Sequence, residues 1–330
     1  MARPASSALA ALRHRLAATG LALATALGSL GAPARAQPAA PCTPAAAPTA
    51  DEWRAAAQQA RDRGFLWRLS RDGRTSYLYG TLHVARLPWV FPGPRVRQAL
   101  EASNVVALEL DPLDPDIAQR LASGMRADAD ERLHPALAAR LRAQVIAACL
   151  PPDALSPLAA AVQLMVLTSL VGRPDGFDPA FAIDTALAGH ARGLHKPVHS
   201  LESPEMQLAL LRGDPATLPV QLDRGLAQLE GGQARPLLRR MAEVWDQGRR
   251  DELARYAQWC QCADTEADRA DLKRLLDDRN PPLADRIEAL HAGGLRVFAA
   301  VGALHMVGPA GLPALLTQRG FVVEAIDLAR

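Results

Sequence analysis

Two short stretches far apart in the chain share one pattern, and together they constrain the fold more than any other feature. Residues 76–88 read SYLYGTLHVARLP, and residues 297–311 read VFAAVGALHMVGPAG. Each is an apolar, strand-like run that ends in Gly-x-x-His: Gly80 before His83, and Gly302 before His305. A glycine at a strand end permits a tight exit and close approach of another backbone, and the histidine three positions on then points away from the run. One such tetrapeptide says little. Two, each closing an apolar run, predict two strand ends that meet at one site.

The remaining periodicity places these ends in an α/β protein. Residues 65–70 and 76–82 read as a hairpin turning at Arg71-Asp72-Gly73-Arg74. Strands are expected at residues 104–111, 196–201, 295–302 and 321–328. Helical patterns cover residues 94–102, 115–124, 132–149, 153–172, 178–193 and 310–319. A long helical stretch, 203–291, is expected to break near Pro215, Gly231-Gly232 and Pro281-Pro282. Strands alternating with helices imply a mixed β-sheet core built on two pseudo-repeated strand–Gly-x-x-His units, flanked by helices, with a long helical insertion between the units. The uncharged run 154–172 is interrupted by Pro157, Gln163, Thr168 and Ser169, and reads as a buried helix rather than a membrane span.

The start of the chain reads as a leader. Arg3, Arg13 and Arg15 precede an apolar run, residues 16–30, and Ala34-Arg35-Ala36 follows. That is the layout of a secretory signal peptide, residues 1–36, cut before Gln37. An Ala/Pro linker, 37–50, and one α/β domain, 51–330, are expected to follow, in a periplasmic or secreted protein without a stable membrane span after cleavage. The whole chain holds 37 basic and 35 acidic residues, and the leader takes four arginines and no acid, so the remainder carries −2. No basic excess argues for a nucleic-acid partner. Cys42, Cys149, Cys260 and Cys262 fit an oxidising compartment, with one or two long-range disulfides expected; Cys260-Gln261-Cys262 is only a weak metal signal.

Acids gather at the same strand ends. Glu109 closes the run NVVALEL, and Glu202 follows KPVHSL. Ligands in open α/β sheets bind at the carboxyl ends of strands. Two imidazoles and a carboxylate suit a divalent ion such as manganese, cobalt or zinc, with positions left open for water and substrate. His83, His305 and Glu109 are therefore the candidate ligands, with Glu109 either a ligand or a general base. The plainer readings are that each histidine is structural, that Glu109 with Asp111 is a solvated strand end, and that Glu202 caps the helix beginning near Ser203.

The stretches YLYGTLHV, VVALELD, GFDPAFAIDTAL, KPVHSLESPEMQLALL, DDRNPPLADRI and VGALHMVGPAGLPALLTQRGFVVEAI resemble, in this order, the TraB/PrgY/GumN family, which includes the animal Tiki proteins. The resemblance runs from about Phe65 to Leu328. It implies a fold related to the erythromycin-esterase and ChaN-like proteins and, for Tiki-like members, metal-dependent peptidase activity on a peptide or protein substrate. It places His83 and His305 on the paired histidines and Glu109 on the strand acid. Asp178, Glu202, Arg279 and Asn280 fall on further motif positions. Asp178, Glu202 and Arg279 are then expected to support the ligands or orient substrate, with Arg279 and Asn280 near the chemistry. Two other roles remain open: a non-catalytic binder of a peptide signal or haem-like ligand, and an accessory factor in envelope polysaccharide production.

Overall fold

A computed structural model describes residues 46–328. The expected leader and Cys42 lie outside the described residues. Six strands form one mixed sheet: β1 (Phe65–Arg71), β2 (Arg74–Thr81), β3 (Val105–Leu108), β4 (Val198–Ser200), β5 (Val297–Gly302) and β6 (Val322–Ile326). Their order is β4-β3-β5-β2-β1-β6. The hairpin turns where expected, with Asp72 at φ 51° and Gly73 at φ 70°, the left-handed pair that a tight two-residue hairpin turn requires. β1 runs antiparallel to β2 and to β6. β4, β3, β5 and β2 pair in parallel, each with the next.

That parallel ladder unites the two distant motifs. β2 and β5 are neighbours, with Gly80 opposite Val301 and Thr81 opposite Gly302. The two glycines are thus offset by one residue. The chain also leaves the two strands differently: residues 83–84 form a bend, whereas Ala303–Met306 forms a 3₁₀ turn. β3 and β4 add the carboxyl ends that carry Glu109 and Glu202. β5, buried on both faces along Val297–Val301, is nearly continuous in apolar residues, as a central parallel strand must be.

Several helix boundaries depart from the expected ones, each for a local reason. The helix Ala50–Gln58 begins inside the expected linker, because Thr49 and Glu52 form a reciprocal capping box. Pro281-Pro282 opens the helix Asn280–Ala292 instead of breaking one; proline lacks only an N–H that the first turn leaves unbonded anyway. The expected helix 153–172 shortens to Ala160–Leu170, after turns through residues 152–157. Among the described residues, no helix is long and apolar enough to cross a membrane.

Two apolar clusters hold these elements. One surrounds the sheet and contains Leu78, Val106, Phe298 and Trp245. The other lies among helices of the insertion and contains Leu141, Val145, Leu167, Leu222 and Leu226. Cys260 and Cys262 are bonded to each other across one residue, a local bridge where a long-range one was expected, and this leaves no thiolate pair there for a metal. The short ring is accommodated by Gln261 at φ 56°. Cys149 is also disulfide-bonded.

Candidate functional site

The carboxyl ends of β2, β3, β4 and β5 gather polar groups around Gly302. A side chain at that position would begin 3.2 Å from Glu109 Oε1, 3.5 Å from His305 Cδ2 and 3.9 Å from His83 Nε2. Gly302 has φ −46°, so its lack of a side chain matters for space, not for backbone conformation. Its N–H donates to Glu109 Oε1 at 2.8 Å. Gly80, on the neighbouring strand, also leaves room for close packing: a Cβ there would lie 3.2 Å from Ala303 Cα. The carbonyl of Gly80 accepts from Trp245 Nε1 at 2.7 Å, fixing the end of β2.

Arg279 ties the acids together. Its Nη2 donates to Glu109 Oε2 at 2.7 Å and to Glu202 Oε2 at 2.6 Å, and its Nε donates to Glu202 Oε1 at 2.8 Å. Gln207 Nε2 donates to both carboxylates, at 3.2 and 3.0 Å. Glu109 and Glu202 are buried, and two buried carboxylates side by side are tolerable only with such donors. Burial alone would raise the Glu109 carboxyl. The nearby His83, His305 and Arg279 and the Gly302 N–H outweigh it and pull the group down to about 2. Arg279 lies just after a π-helical segment, Lys273–Asp277, and before the helix Asn280–Ala292; such segments widen a helix and re-aim the residues beyond them.

The two histidines are held alike at one nitrogen and unlike elsewhere. His305 Nδ1 lies 2.6 Å from Asn280 Oδ1, which accepts, while Asn280 Nδ2 donates to the Ala310 carbonyl at 2.8 Å. That places the proton on Nδ1 and leaves Nε2 to accept from Arg279 Nη1 at 3.2 Å. Burial pushes the His305 pKa down, to about 4, with Glu109 opposing and Arg279 reinforcing the shift. His83 Nδ1 lies 2.8 Å from Asp184 Oδ2, and its side chain is 65% exposed. The Asp184 carboxylate raises its pKa against a smaller desolvation effect, and solvent around the ring screens that pull. Thr81 Oγ1 donates to Asp184 Oδ1 at 2.7 Å, so β2 itself orients the acid.

The structure thus brings His83, Glu109, Glu202, Arg279, Asn280, Gly302 and His305 into one neighbourhood, with Gly80 at its edge. It gives Asp178 other partners: that carboxylate accepts from Arg173 Nε at 2.7 Å and from the Ala180 N–H, and its backbone pairs with Ala85. Asp184, six residues on, meets His83 instead. Asp184, Thr81 and Gln207 were not singled out from the sequence. Asp184 lies within GFDPAFAIDTAL, so a search for a second acid in that stretch would have found it; Thr81 and Gln207 carry no sequence signal. Glu202 does not cap the helix Pro204–Arg212, because Ser203 holds that position through its side chain.

A family model for the TraB/PrgY/gumN family matches residues 65–325, which spans the sheet from β1 into β6 and every group just described. The chain belongs to the TraB/PrgY/gumN family. No curated protein and no solved structure matches it. In this family member the donor chemistry fits a divalent cation. Both imidazoles have Nδ1 engaged and turn Nε2 inward, two carboxylates, Glu109 and Glu202, share the Arg279 guanidinium, and a third, Asp184, stands beside His83. No group of three His, Cys, Asp or Glu side chains among the described residues is already arranged about one ion position. The guanidinium of Arg279 instead caps His305 Nε2 and one oxygen of Glu109.

Proposed function

We propose that the chain is an exported hydrolase, acting on peptide bonds, whose working centre is His83, Glu109 and His305. The observation that carries this reading is the convergence of Glu109 Oε1, the His305 ring and His83 Nε2 within 3.9 Å of one point beside Gly302. Export rests on the leader pattern of residues 1–36 and fits the Cys260–Cys262 disulfide, which persists in an oxidising compartment.

His83 Nε2, His305 Nε2 and Glu109 would hold a manganese, cobalt or zinc ion, which when bound polarises a carbonyl and acidifies water. The rest is done by the chain. Glu109 stays ionised at neutral pH and keeps Oε1 beside the open point, where it serves either as the third ligand or as the base that takes a proton from an attacking water. Asn280 holds His305 in the tautomer that leaves Nε2 basic. Asp184 anchors the Nδ1 side of His83 and favours its protonated form, so an ion bound there would displace the Nε2 proton; the exposure of this ring places it where substrate arrives. Arg279 and Gln207 hold Glu109 and Glu202 in position.

Metal content and peptide hydrolysis, measured on the same preparations, test the reading. Wild type should bind about one ion and cleave peptides, and the double variant His83→Ala/His305→Ala should do neither. Glu109→Gln should keep the fold and lower turnover by roughly 10²–10⁴-fold if Glu109 is the base; loss of metal along with activity would make it a ligand. N-terminal mass spectrometry should find mature protein beginning at Gln37. If wild type binds no ion and cleaves nothing across a broad metal screen, a non-catalytic binding protein is the better reading. The saturation of His305 Nε2 and Glu109 by Arg279 favours that alternative.

A further inference from the structure

His83 also lines a cleft of about 680 Å³ that runs into the helical insertion. Leu275, whose carbonyl accepts from Arg279 Nη1, borders the same space, so the cleft is continuous with the site. Its walls are largely apolar: Leu164, Met165, Leu210, Leu211, Leu222 and Leu238. Most polar side chains along it are already engaged: Thr168 and Ser169 donate to the Leu164 and Val166 carbonyls. Gln221 donates to Asp271 at 3.1 Å, and Arg274 lies 3.6 Å from the same acid. A cleft that offers aliphatic surface and spent polar groups favours bulky aliphatic side chains over small or charged ones.

One wall has an unusual support. Gly225 sits inside the helix Leu218–Glu230, well away from either end, where glycine weakens a helix relative to alanine. Its φ is not left-handed, so backbone conformation does not call for it. Space does: a Cβ at Gly225 would lie 2.5 Å from Leu164 Cδ2 and 3.1 Å from Cδ1. Leu164, on the helix Ala160–Leu170, therefore rests its methyl groups on the bare backbone of Gly225 while bordering the cleft. A methyl group at position 225 would drive this side chain towards the open space it already borders.

We propose that Gly225, acting through Leu164, sets the depth of the substrate cleft and so selects peptides with a bulky aliphatic side chain next to the cleaved bond. This deepens the peptidase reading and rests on it for the cleavage arm of the test, but not for the binding arm. Gly225 touches neither the reacting groups nor substrate; it is a specificity-determining residue at second hand.

The test uses fluorescein-labelled octapeptides that differ at one position, Ala, Val, Leu or Phe. Binding is read by anisotropy on full-length mature protein in chelator, where nothing turns over, and cleavage is read with metal restored. Wild type should favour Leu over Ala by about 10–200-fold, the range that a few methylenes in an apolar pocket supply. Gly225→Ala should reduce that preference at least tenfold, while the Ala peptide binds and is cleaved as before. Adding Leu164→Ala to Gly225→Ala should restore the preference for Leu. Leu164→Ala alone should shift preference towards Phe, and it decides the matter if Gly225→Ala does not fold. No binding of any peptide, equal binding of the Leu and Ala peptides by wild type, or an unchanged preference in both single variants would overturn the proposal. Selective binding without cleavage would leave the side-chain selection by Gly225 and Leu164 standing and sink the peptidase reading instead.

Discussion

The two Gly-x-x-His motifs have one spacing and two environments. At the end of β5, His305 is 3% exposed and enclosed by Asn280 and Arg279. At the end of β2, His83 stands mostly in solvent with Asp184 beside its ring. Burial withdraws charge from the first imidazole, and a neighbouring carboxylate promotes it on the second. Identically spaced tetrapeptides thus yield one neutral, locked ring and one open ring that gains a proton more readily. The difference comes from how the chain leaves each strand: a 3₁₀ turn folds His305 back under the sheet end, whereas the bend after β2 leaves His83 at the mouth of the cleft.

The strongest way to break the closed half is to remove its cation. Arg279→Ala leaves Glu109 and Glu202 buried together without a guanidinium, with only the Gln207 amide and the Gly302 N–H as donors, and should cost about 3–5 kcal/mol of stability. Urea unfolding would measure it; a loss under about 1 kcal/mol would mean that the acids find other partners or take up protons cheaply.

Acid attacks the same half more gently. His305 has a folded-state pKa below its unfolded value, so its contribution is complete above about 6.5 and is lost as pH falls through about 4. Metal-free protein should lose on the order of 3 kcal/mol over that window, and His305→Gln should flatten the fall. His83 has the opposite sign. Its contribution is present below about 6.5 and fades as pH rises through a folded pKa of about 9; with the ring so exposed, this limb should be shallow.

A matched pair of substitutions sharpens the contrast further. Asn280→Leu strands a buried Nδ1–H and should cost about 1–3 kcal/mol. Asp184→Asn should cost under about 1 kcal/mol, since its partner is mostly in water, yet it should move the His83 titration, followed by imidazole NMR, towards acid. Equal stability losses would erase the distinction between the two motifs. The control is Leu82→Ile, which only repacks a partly buried neighbour of the core. It should cost less than about 1.5 kcal/mol and alter neither metal content nor hydrolysis.

The sequence by itself determined the strand ends and the groups that stand on them. Apolar runs closed by Gly80, Glu109, Glu202 and Gly302 are local patterns, and a strand that is buried on both faces has to be written as such a run. The hairpin at Asp72-Gly73 is equally local, since only particular residues accept its dihedrals. The tertiary structure alone decided who meets whom. The offset of one residue between β2 and β5, the clasp of Arg279 on two acids 77 and 170 residues away, and the choice of Asp184 over Asp178 as the partner of His83 are long-range facts. So is the support of Leu164 by Gly225, which pairs two helices of the insertion. Register and side-chain pairing depend on how sheets and helices pack across the fold, and a chain written in one dimension records the groups but not their distances. The two histidines make the point most simply: the tetrapeptides carry the same spacing, and only packing buries one and exposes the other.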